Sequence, residues 1–299
     1  MSLATVAYYP GCSGGGTSAE YEKSTQAVFR ALGVRLEELP DWSCCGSTPA
    51  HTVNHVLSAA LSARNLAIAA TAGHSVVTTP CPSCLSNLRT AAHKMEDAEF
   101  RSQVSALLHD GAADADVETG ADVDVRSTLQ ILAEEVGAQA VQEKVRKPLS
   151  GLKVACYYGC IMNRPPGLMQ FDDPEHPMAM DRLMEACGAE VVPFPLKVEC
   201  CGAAFGMPRR DIVSELSGRL LDAAADCGAD AVVAACPLCQ MNLDMRQGQV
   251  NAARGSRHVL PVFYFTQLMG LSFGLAPADV GLAKLVVDPG PCLRAAGVL

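Results

Sequence analysis

Ten of the chain's 14 cysteines fall into two sets of five. Cys12, Cys44, Cys45, Cys81 and Cys84 make the first set; Cys160, Cys200, Cys201, Cys236 and Cys239 make the second. Each set opens with a lone cysteine. A Cys-Cys-Gly triplet follows after 31 residues in the first set and 39 in the second. A Cys-Pro-x-Cys closes the set, with 35 and 34 residues separating it from the second cysteine of the pair. Two thiols side by side suit few purposes. A disulfide between neighbours distorts the backbone, because ordinary bridges hold their Cα atoms about 4.4–6.8 Å apart. A structural zinc site spaces its cysteines about two to four residues apart and takes about four ligands. An iron–sulfur cluster is also normally held by about four thiolates. Five thiols are one too many for either. Neighbouring side chains in an extended stretch point apart, so adjacent thiols must turn to reach different metal atoms, and the following glycine permits the tight turn or close approach. This favours a polynuclear cluster. Two other readings stay open here: a pair of structural zinc sites with spare thiols, and a thioredoxin-like dithiol in each Cys-Pro-x-Cys. The dithiol reading leaves the Cys-Cys-Gly cysteines unexplained.

The two sets belong to a duplication. Leu61–Leu88 aligns without gaps on Leu216–Leu243 with 13 of 28 positions identical, too many for chance. Arg64/Arg219, Gly73/Gly228, Pro82/Pro237 and Asn87/Asn242 are among the shared residues. Each repeat alternates short apolar runs with helical spacing. In the first, strands are expected at Ala4–Tyr9, Val34–Leu39 and Ser75–Thr79, with helices at Ser18–Leu32 and Val53–Thr71 and a third opened by Pro82. In the second, the run is strand Val154–Tyr158, helix Met178–Cys187, strand Glu190–Phe194, helix Asp211–Cys227 and strand Ala231–Ala234, then Cys-Pro-Leu-Cys and a helix. This alternation predicts an α/β fold: two tandem Rossmann-like domains with parallel sheets, related by pseudo-two-fold symmetry. Cys12, the Cys44-Cys45 pair and Cys81 then sit at the carboxyl ends of strands, the edge where open α/β sheets build their sites. The expected divisions are residues 1–109 (first domain), 110–150 (connector), 151–275 (second domain) and 276–299 (tail). Asp110–Asp124 is acidic and poor in large apolar residues, and reads as a flexible connector. Val125–Val145 reads as one or two helices, Val262–Ala276 as a core or docking helix, and Pro277–Leu299 as a tail packed on the outside.

Composition narrows the function. The net charge of −9 argues against a nucleic-acid partner, which needs a basic footprint. Apolar residues are 49% and charged residues 18%, which fits either a large core or a subunit with wide partner contacts. No uncharged apolar run reaches the length of a membrane span. The start MSLATVAYYPGC lacks a basic region and cleavage pattern, so a reducing cytoplasmic location is expected.

The doubled cysteine pattern, with YYPGC, FDDPEHPMAMDRLMEACGAEVV, KVECCGA, ACPLCQMNLD and PVFYFTQLMGLSFG, resembles the CCG cysteine-rich domain and, over nearly the whole chain, the HdrB component of heterodisulfide reductase. The resemblance implies a noncubane [4Fe-4S] cluster on each set of five thiolates, two clusters in all. The adjacent pair then supplies two ligands to one extended cluster. It implies a disulfide or related sulfur substrate clamped between the clusters and reduced, or formed in reverse, one electron at each. It also implies partners: the iron–sulfur component HdrC, the flavoprotein component HdrA and, in bacterial sulfur oxidation, a lipoate-binding protein. The chain has no second cluster run of the ferredoxin kind and no G-x-G-x-x-G, so partners are expected to supply those functions. The alternative implied by similar domains is an electron-transfer subunit of a lactate, glycolate or glycerol-3-phosphate oxidising complex.

Proton supply is a separate question, since reducing a disulfide to two thiols consumes protons. Arg164 and His176 in the long loop Ile161–Met178, then Lys197 and Glu199, are candidates for it or for binding an anionic group. The plainer reading of that loop is a surface turn. His51 and His55, after the first pair, read as surface or packing residues. Cys156, Cys187, Cys227 and Cys292 have no counterparts in the opposite repeat and read as small buried apolar residues.

Overall fold

The structure, a computed structural model, describes residues 5–47, 50–110 and 119–299. It holds two four-stranded sheets of the same order. The first is β2-β1-β3-β4, with β1 at Thr5–Tyr8, β2 at Arg35–Glu38, β3 at Val76–Thr79 and β4 at Asp124–Ser127. The second is β6-β5-β7-β8, with β5 at Lys153–Tyr157, β6 at Glu190–Val191, β7 at Ala231–Ala234 and β8 at Val262–Tyr264. Every pairing is parallel. The central strands are apolar because helices bury both sheet faces; all four residues of β7 are buried.

The strand order reverses beside β1 and β5. Open α/β sheets bind ligands at that crevice, outside the carboxyl ends of the strands. The loops leaving β1 and β3 carry Cys12 and Cys81, and those leaving β5 and β7 carry Cys160 and Cys236. Pro82 and Pro237 then open the helices Pro82–Lys94 and Pro237–Asp244. Their missing N–H falls where a helix has no internal acceptor to offer it.

Four expectations need correction. Val125–Ser127 is not helical: it forms β4 with Asp124 and pairs with β3, and helical structure starts at Thr128. Val262–Tyr264 is β8 rather than the start of a helix, which begins at Phe265. Both are short, and a buried apolar run of that length reads alike as strand or helix until its neighbours are known. The expected strand Glu190–Phe194 pairs only at Glu190–Val191. The tail does not lie on the outside. Val280 and Leu293 are fully buried, Gln267 donates to the Val280 carbonyl at 3.1 Å, and Asp244 accepts the Val286 amide at 2.7 Å. Within the expected connector, residues 111–118 lie outside the described residues. Gly120 is packed rather than loose: a Cβ there would lie 2.7 Å from the Ala67 amide.

The halves meet reciprocally. Helix Ala19–Ala31, after β1, packs on Phe265–Ser272, after β8; helix Ala179–Ala186, after β5, packs on the helical residues 128–136, after β4. That exchange is the pseudo-two-fold relation in physical form. Ser24 and Thr266 hydrogen-bond across the seam at 2.7 Å. Gly270 lets the helices and the tail close up, since a Cβ there would lie 2.5 Å from Val280 Cγ1 and 3.6 Å from Val28 Cγ2. Gly270→Ala therefore overpacks the seam and is expected to lower stability by about 1–3 kcal/mol. Urea unfolding of the variant should show a lower midpoint at an unchanged slope.

Candidate functional site

The fold brings each set of thiols to one sheet edge. In the first half Cys45 Sγ lies 3.5 Å from Cys84 Sγ. In the second Cys201 Sγ lies 3.6 Å from Cys239 Sγ. The lone first cysteine joins through a glycine. Gly11, at φ +70°, passes so close that a Cβ would lie 2.9 Å from Cys84 Sγ; Gly159, at φ +79°, stands 3.0 Å from Cys239 Sγ in the same sense. Cys12 and Cys160 also sit within the electrostatic reach of the paired cysteines of their own sets. Cys45, Cys81, Cys84, Cys201, Cys236 and Cys239 are buried. Cys12, Cys44 and Cys200 are exposed and Cys160 half-buried, so each pocket has an open side.

The supporting hydrogen bonds repeat as well. Tyr9 donates to the Ser43 carbonyl and Tyr157 to the Glu199 carbonyl, both at 2.7 Å, holding the residue before each pair. Ser62 donates to the Cys45 carbonyl at 2.8 Å and Ser217 to the Cys201 carbonyl at 3.0 Å. Asn87 reaches the Cys45 carbonyl at 2.7 Å, whereas Asn242 reaches the sulfur of Cys201 at 3.6 Å. The glycine of each triplet turns its own amide onto the first thiol: Gly46 N to Cys44 Sγ is 3.4 Å and Gly202 N to Cys200 Sγ is 3.2 Å. Ser62/Ser217 and Asn87/Asn242 were legible as identities between the repeats that no core face requires. Tyr9 and Tyr157 stand at equal distance before the first cysteines, a weaker signal.

Crowded thiols share protons unequally. A hydrogen bond from Cys84, helped by the amides of Cys84 and Ser83 at the helix start, lowers Cys81 to about 7. A bond from Cys160, with the Gly202 and Ala203 amides, lowers Cys200 to about 6. Contact with the neighbouring thiols, Cys45 first for Cys84 and Cys201 first for Cys239, and burial push Cys84 and Cys239 up. Burial and the neighbouring thiols raise Cys12.

These are five sulfur donors per site, several already inclined to ionise. The glycine approaches leave room around the last cysteine that a side chain would take. A sulfur-rich donor set of this kind fits an iron–sulfur cluster. Among the described residues, no group of three or more His, Cys, Asp or Glu is arranged to hold a single metal ion; the thiols close in as pairs.

The other sequence candidates are placed differently. Arg164 is occupied in bracing its loop, through the Pro174 carbonyl at 2.9 Å and Glu175. Lys197 is buried against Asp181 and the Pro177 carbonyl, and Tyr158 donates to the same carboxylate. His176 is exposed, and Glu199 contributes its carbonyl to Tyr157. His51 and His55 gain in interest. They line a cavity of about 470 Å³ with Ser47, Ser83, Lys94 and Ile161. Ser47 and Ser83 flank first-set cysteines, and Ile161 follows Cys160. Sequence reasoning passed over Arg89. It runs from the helix opened by Cys81-Pro82 to the loop after Cys160, donating to the Val125 carbonyl at 2.5 Å, the Leu168 carbonyl at 3.0 Å and the Met169 carbonyl. It ties the first thiol set to the second. Cys156 and Cys187 are buried as expected, whereas Cys227 and Cys292 are only half-buried.

Two parallel-sheet domains, each gathering five thiols at its carboxyl edge, define a tandem cysteine-rich redox protein. A family model described as "Cysteine-rich domain" (CCG) matches residues 6–89 and 154–244, more than half of the chain, with one complete thiol set in each stretch. The chain belongs to the CCG cysteine-rich domain family, in the tandem arrangement of the HdrB component of heterodisulfide reductase. It is 34% identical over 282 residues to the 8-methylmenaquinol:fumarate reductase membrane anchor subunit of Wolinella succinogenes, covering 94% of this chain and 96% of that protein. It is 30% identical over 273 residues to the HdrB component of the Ferredoxin:CoB-CoM heterodisulfide reductase of Methanosarcina mazei, covering 89% of this chain and 88% of that one. Its fold is similar to the crystal structure of a hypothetical protein from Helicobacter pylori, at a TM-score of 0.73 and 14% identity; the match covers 95% of this chain and 52%, about half, of that one.

Two measurements check the pockets. Gly11→Ala and Gly159→Ala put a methyl against a sulfur and a side chain at positive φ, which costs about 1–2 kcal/mol in backbone strain alone. Each is expected to lower the iron content of the purified protein, while Gly15→Ala, with nothing within 4 Å of the new Cβ, leaves it at the wild-type level. In the metal-free chain, Cys200 is mostly thiolate at neutral pH and protonates as pH falls through about 6. Iodoacetamide should therefore label Cys200 before Cys12, whose raised value keeps it protonated until alkaline pH; peptide mass spectrometry reads the order.

Proposed function

We propose that the chain is the catalytic iron–sulfur subunit of a heterodisulfide reductase-like complex. It reduces, or in reverse forms, a disulfide or related sulfur compound at two noncubane [4Fe-4S] clusters. Cys12, Cys44, Cys45, Cys81 and Cys84 hold one cluster; Cys160, Cys200, Cys201, Cys236 and Cys239 hold the other. A bound cluster supplies one-electron oxidation and reduction beside the open side of its pocket. The rest falls to the chain. Tyr9 and Tyr157 hold the paired-cysteine loops, and the glycine amides of the triplets donate to the sulfurs of Cys44 and Cys200.

The observation that supports the reading is a cavity beside the first set whose lining reaches Ile161, the residue after Cys160. It is walled by neighbours of first-set cysteines on one side and by the neighbour of Cys160 on the other. A disulfide seated there lies next to residues that neighbour first-set cysteines and to Ile161, which follows Cys160. His51, His55 and Lys94 stand on the cavity wall, where they can donate the protons that two new thiols need. Partners bring the electrons: the iron–sulfur component HdrC and the flavoprotein component HdrA, or a lipoate-binding protein if the role is in sulfur oxidation. Among the described residues no helix is long and apolar enough to cross a membrane.

A second reading is an electron relay, with the substrate handled by another protein of the complex. The 34% identity to a component of a fumarate reductase favours it.

Anaerobically purified protein should contain about eight irons per chain, with matching acid-labile sulfide. Its paramagnetic resonance spectrum should change when a disulfide or thiol substrate is added. Cys201→Ser should lose about half of the iron and all of the disulfide reduction. Full iron with no response to any thiol or disulfide supports the relay, and zinc in place of iron ends both readings.

A further inference from the structure

The seam between the halves contains a feature that neither thiol pocket uses. Tyr21, on helix Ala19–Ala31 of the first half, stacks on Tyr264, the last residue of β8 in the second. Their ring centroids are 4.0 Å apart and their planes 3° apart. That is closer than the separation of about 4.5–7 Å usual for aromatic pairs. Both rings are buried, at 1% and 0% exposure. Phe265 meets Tyr21 edge-on, and the Ser24–Thr266 hydrogen bond lies one turn further along the seam.

The stack stands where the two carboxyl edges meet. The Tyr21 hydroxyl donates to the Ala235 carbonyl at 3.3 Å, and Ala235 precedes Cys236. Tyr264 lies in register with Ala234, on the strand that ends at Cys236. The Tyr21 hydroxyl also lies beside Thr128. Thr128 follows Ser127, which pairs with Thr79, two residues before Cys81. Both hydroxyls feel the charges of Cys81 and of Cys236. The rings thus occupy the buried ground between one thiol set and the other, on β3 and β7.

We infer that the Tyr21–Tyr264 stack is the bridge through which electrons pass between the two iron–sulfur sites. The inference rests on both thiol sets holding clusters. Electrons that arrive singly at one site must reach the other before a two-electron reaction is complete. An electron crosses a protein through bonded and closely packed atoms, and every gap weakens the coupling. The stack provides closely packed contact across the seam, with ring centroids 4.0 Å apart. In the step, one cluster loses an electron and the other gains it. No bond forms or breaks, and no proton moves. The tyrosines are the medium and are not oxidised. Burial pushes both hydroxyls up, so both rings stay neutral.

The test uses the whole chain with both clusters in place. One electron is delivered by a light flash from a photoreductant, and rapid-freeze paramagnetic resonance follows its distribution between the sites. Tyr21→Leu and Tyr264→Leu remove one ring each; Tyr21→Phe and Tyr264→Phe keep the ring and remove the hydroxyl. Iron and sulfide content are measured on every sample. Wild-type protein with fewer irons than two clusters require overturns the underlying cluster assignment, separately from the bridge. With full iron, the leucine variants are expected to equilibrate more slowly by an order of magnitude or more, while Tyr264→Phe keeps the wild-type rate and Tyr21→Phe, which loses the link to the Ala235 carbonyl, falls between the wild type and the leucine variants. Leucine variants that equilibrate as fast as wild type overturn the bridge. So do phenylalanine variants as slow as the leucine ones, because the hydroxyl would then be the agent. Should the leucine variants fail to fold, the wild type and the phenylalanine variants still decide. Sites in the wild type that exchange electrons more slowly than turnover overturn the proposal, and exchange faster than turnover that survives in both phenylalanine variants upholds it.

Discussion

The structure depends on a crowding problem. Five thiols share a largely desolvated pocket, and they cannot all ionise there without a positive partner, because like charges in a weakly screening medium repel strongly. In the chain alone the thiols settle the matter by dividing into acceptors and donors. Cys45 and Cys201 are lowered while Cys84 and Cys239 are raised, and Cys200 is lowered at the expense of Cys160. Backbone amides supply positive potential, from the helix start after Cys81 and from the turns at Gly46 and Gly202. That arrangement holds a few negative charges and leaves the rest to a cationic group. Iron supplies such charge, and sulfur donors suit it.

Duplication solves the positioning twice with the same parts. A tyrosine three residues before the first cysteine holds the pair's loop, a serine one helix later holds the second cysteine's carbonyl, and an asparagine beyond Cys-Pro-x-Cys supports the pair. The departures from identity lie where the halves have different work. The long loop after Cys160 has no equivalent after Cys12, and its carbonyls are gripped by Arg89 from the opposite half. The seam is apolar, reciprocal and closed by the tail. A seam of that kind fixes the distance between the two sites, which matters only if the sites act together.

The open sides of the pockets are where the two thiol sets meet solvent. Cys12, Cys44 and Cys200 are the cysteines that solvent reaches fully, and the cavity with His51, His55 and Lys94 lies beside the first set. A sulfur substrate, an electron carrier, or both in turn would approach there. The relatives divide along that line. One is named for heterodisulfide reduction and another for fumarate reduction, on chains that match this one over most of their length.

The sequence by itself determined the two sets of five cysteines, the tandem duplication, the alternation of strand and helix, and the placement of thiols at strand ends. These follow from covalent spacing and local periodicity, which need no knowledge of distant neighbours. It even marked Ser62/Ser217 and Asn87/Asn242, through identity between repeats. Only the tertiary structure decided the rest. β4 and β8 are too short to declare themselves, and they become strands because β3 and β7 offer free edges. The buried tail, Arg89 reaching across to Leu168 and Met169, the cavity joining His51 to the neighbour of Cys160, and the stack of Tyr21 on Tyr264 all join residues distant in the chain. A buried tyrosine or a surface histidine looks ordinary in a sequence. What it touches is settled by the packing of two whole sheets against each other, and no local pattern contains that information.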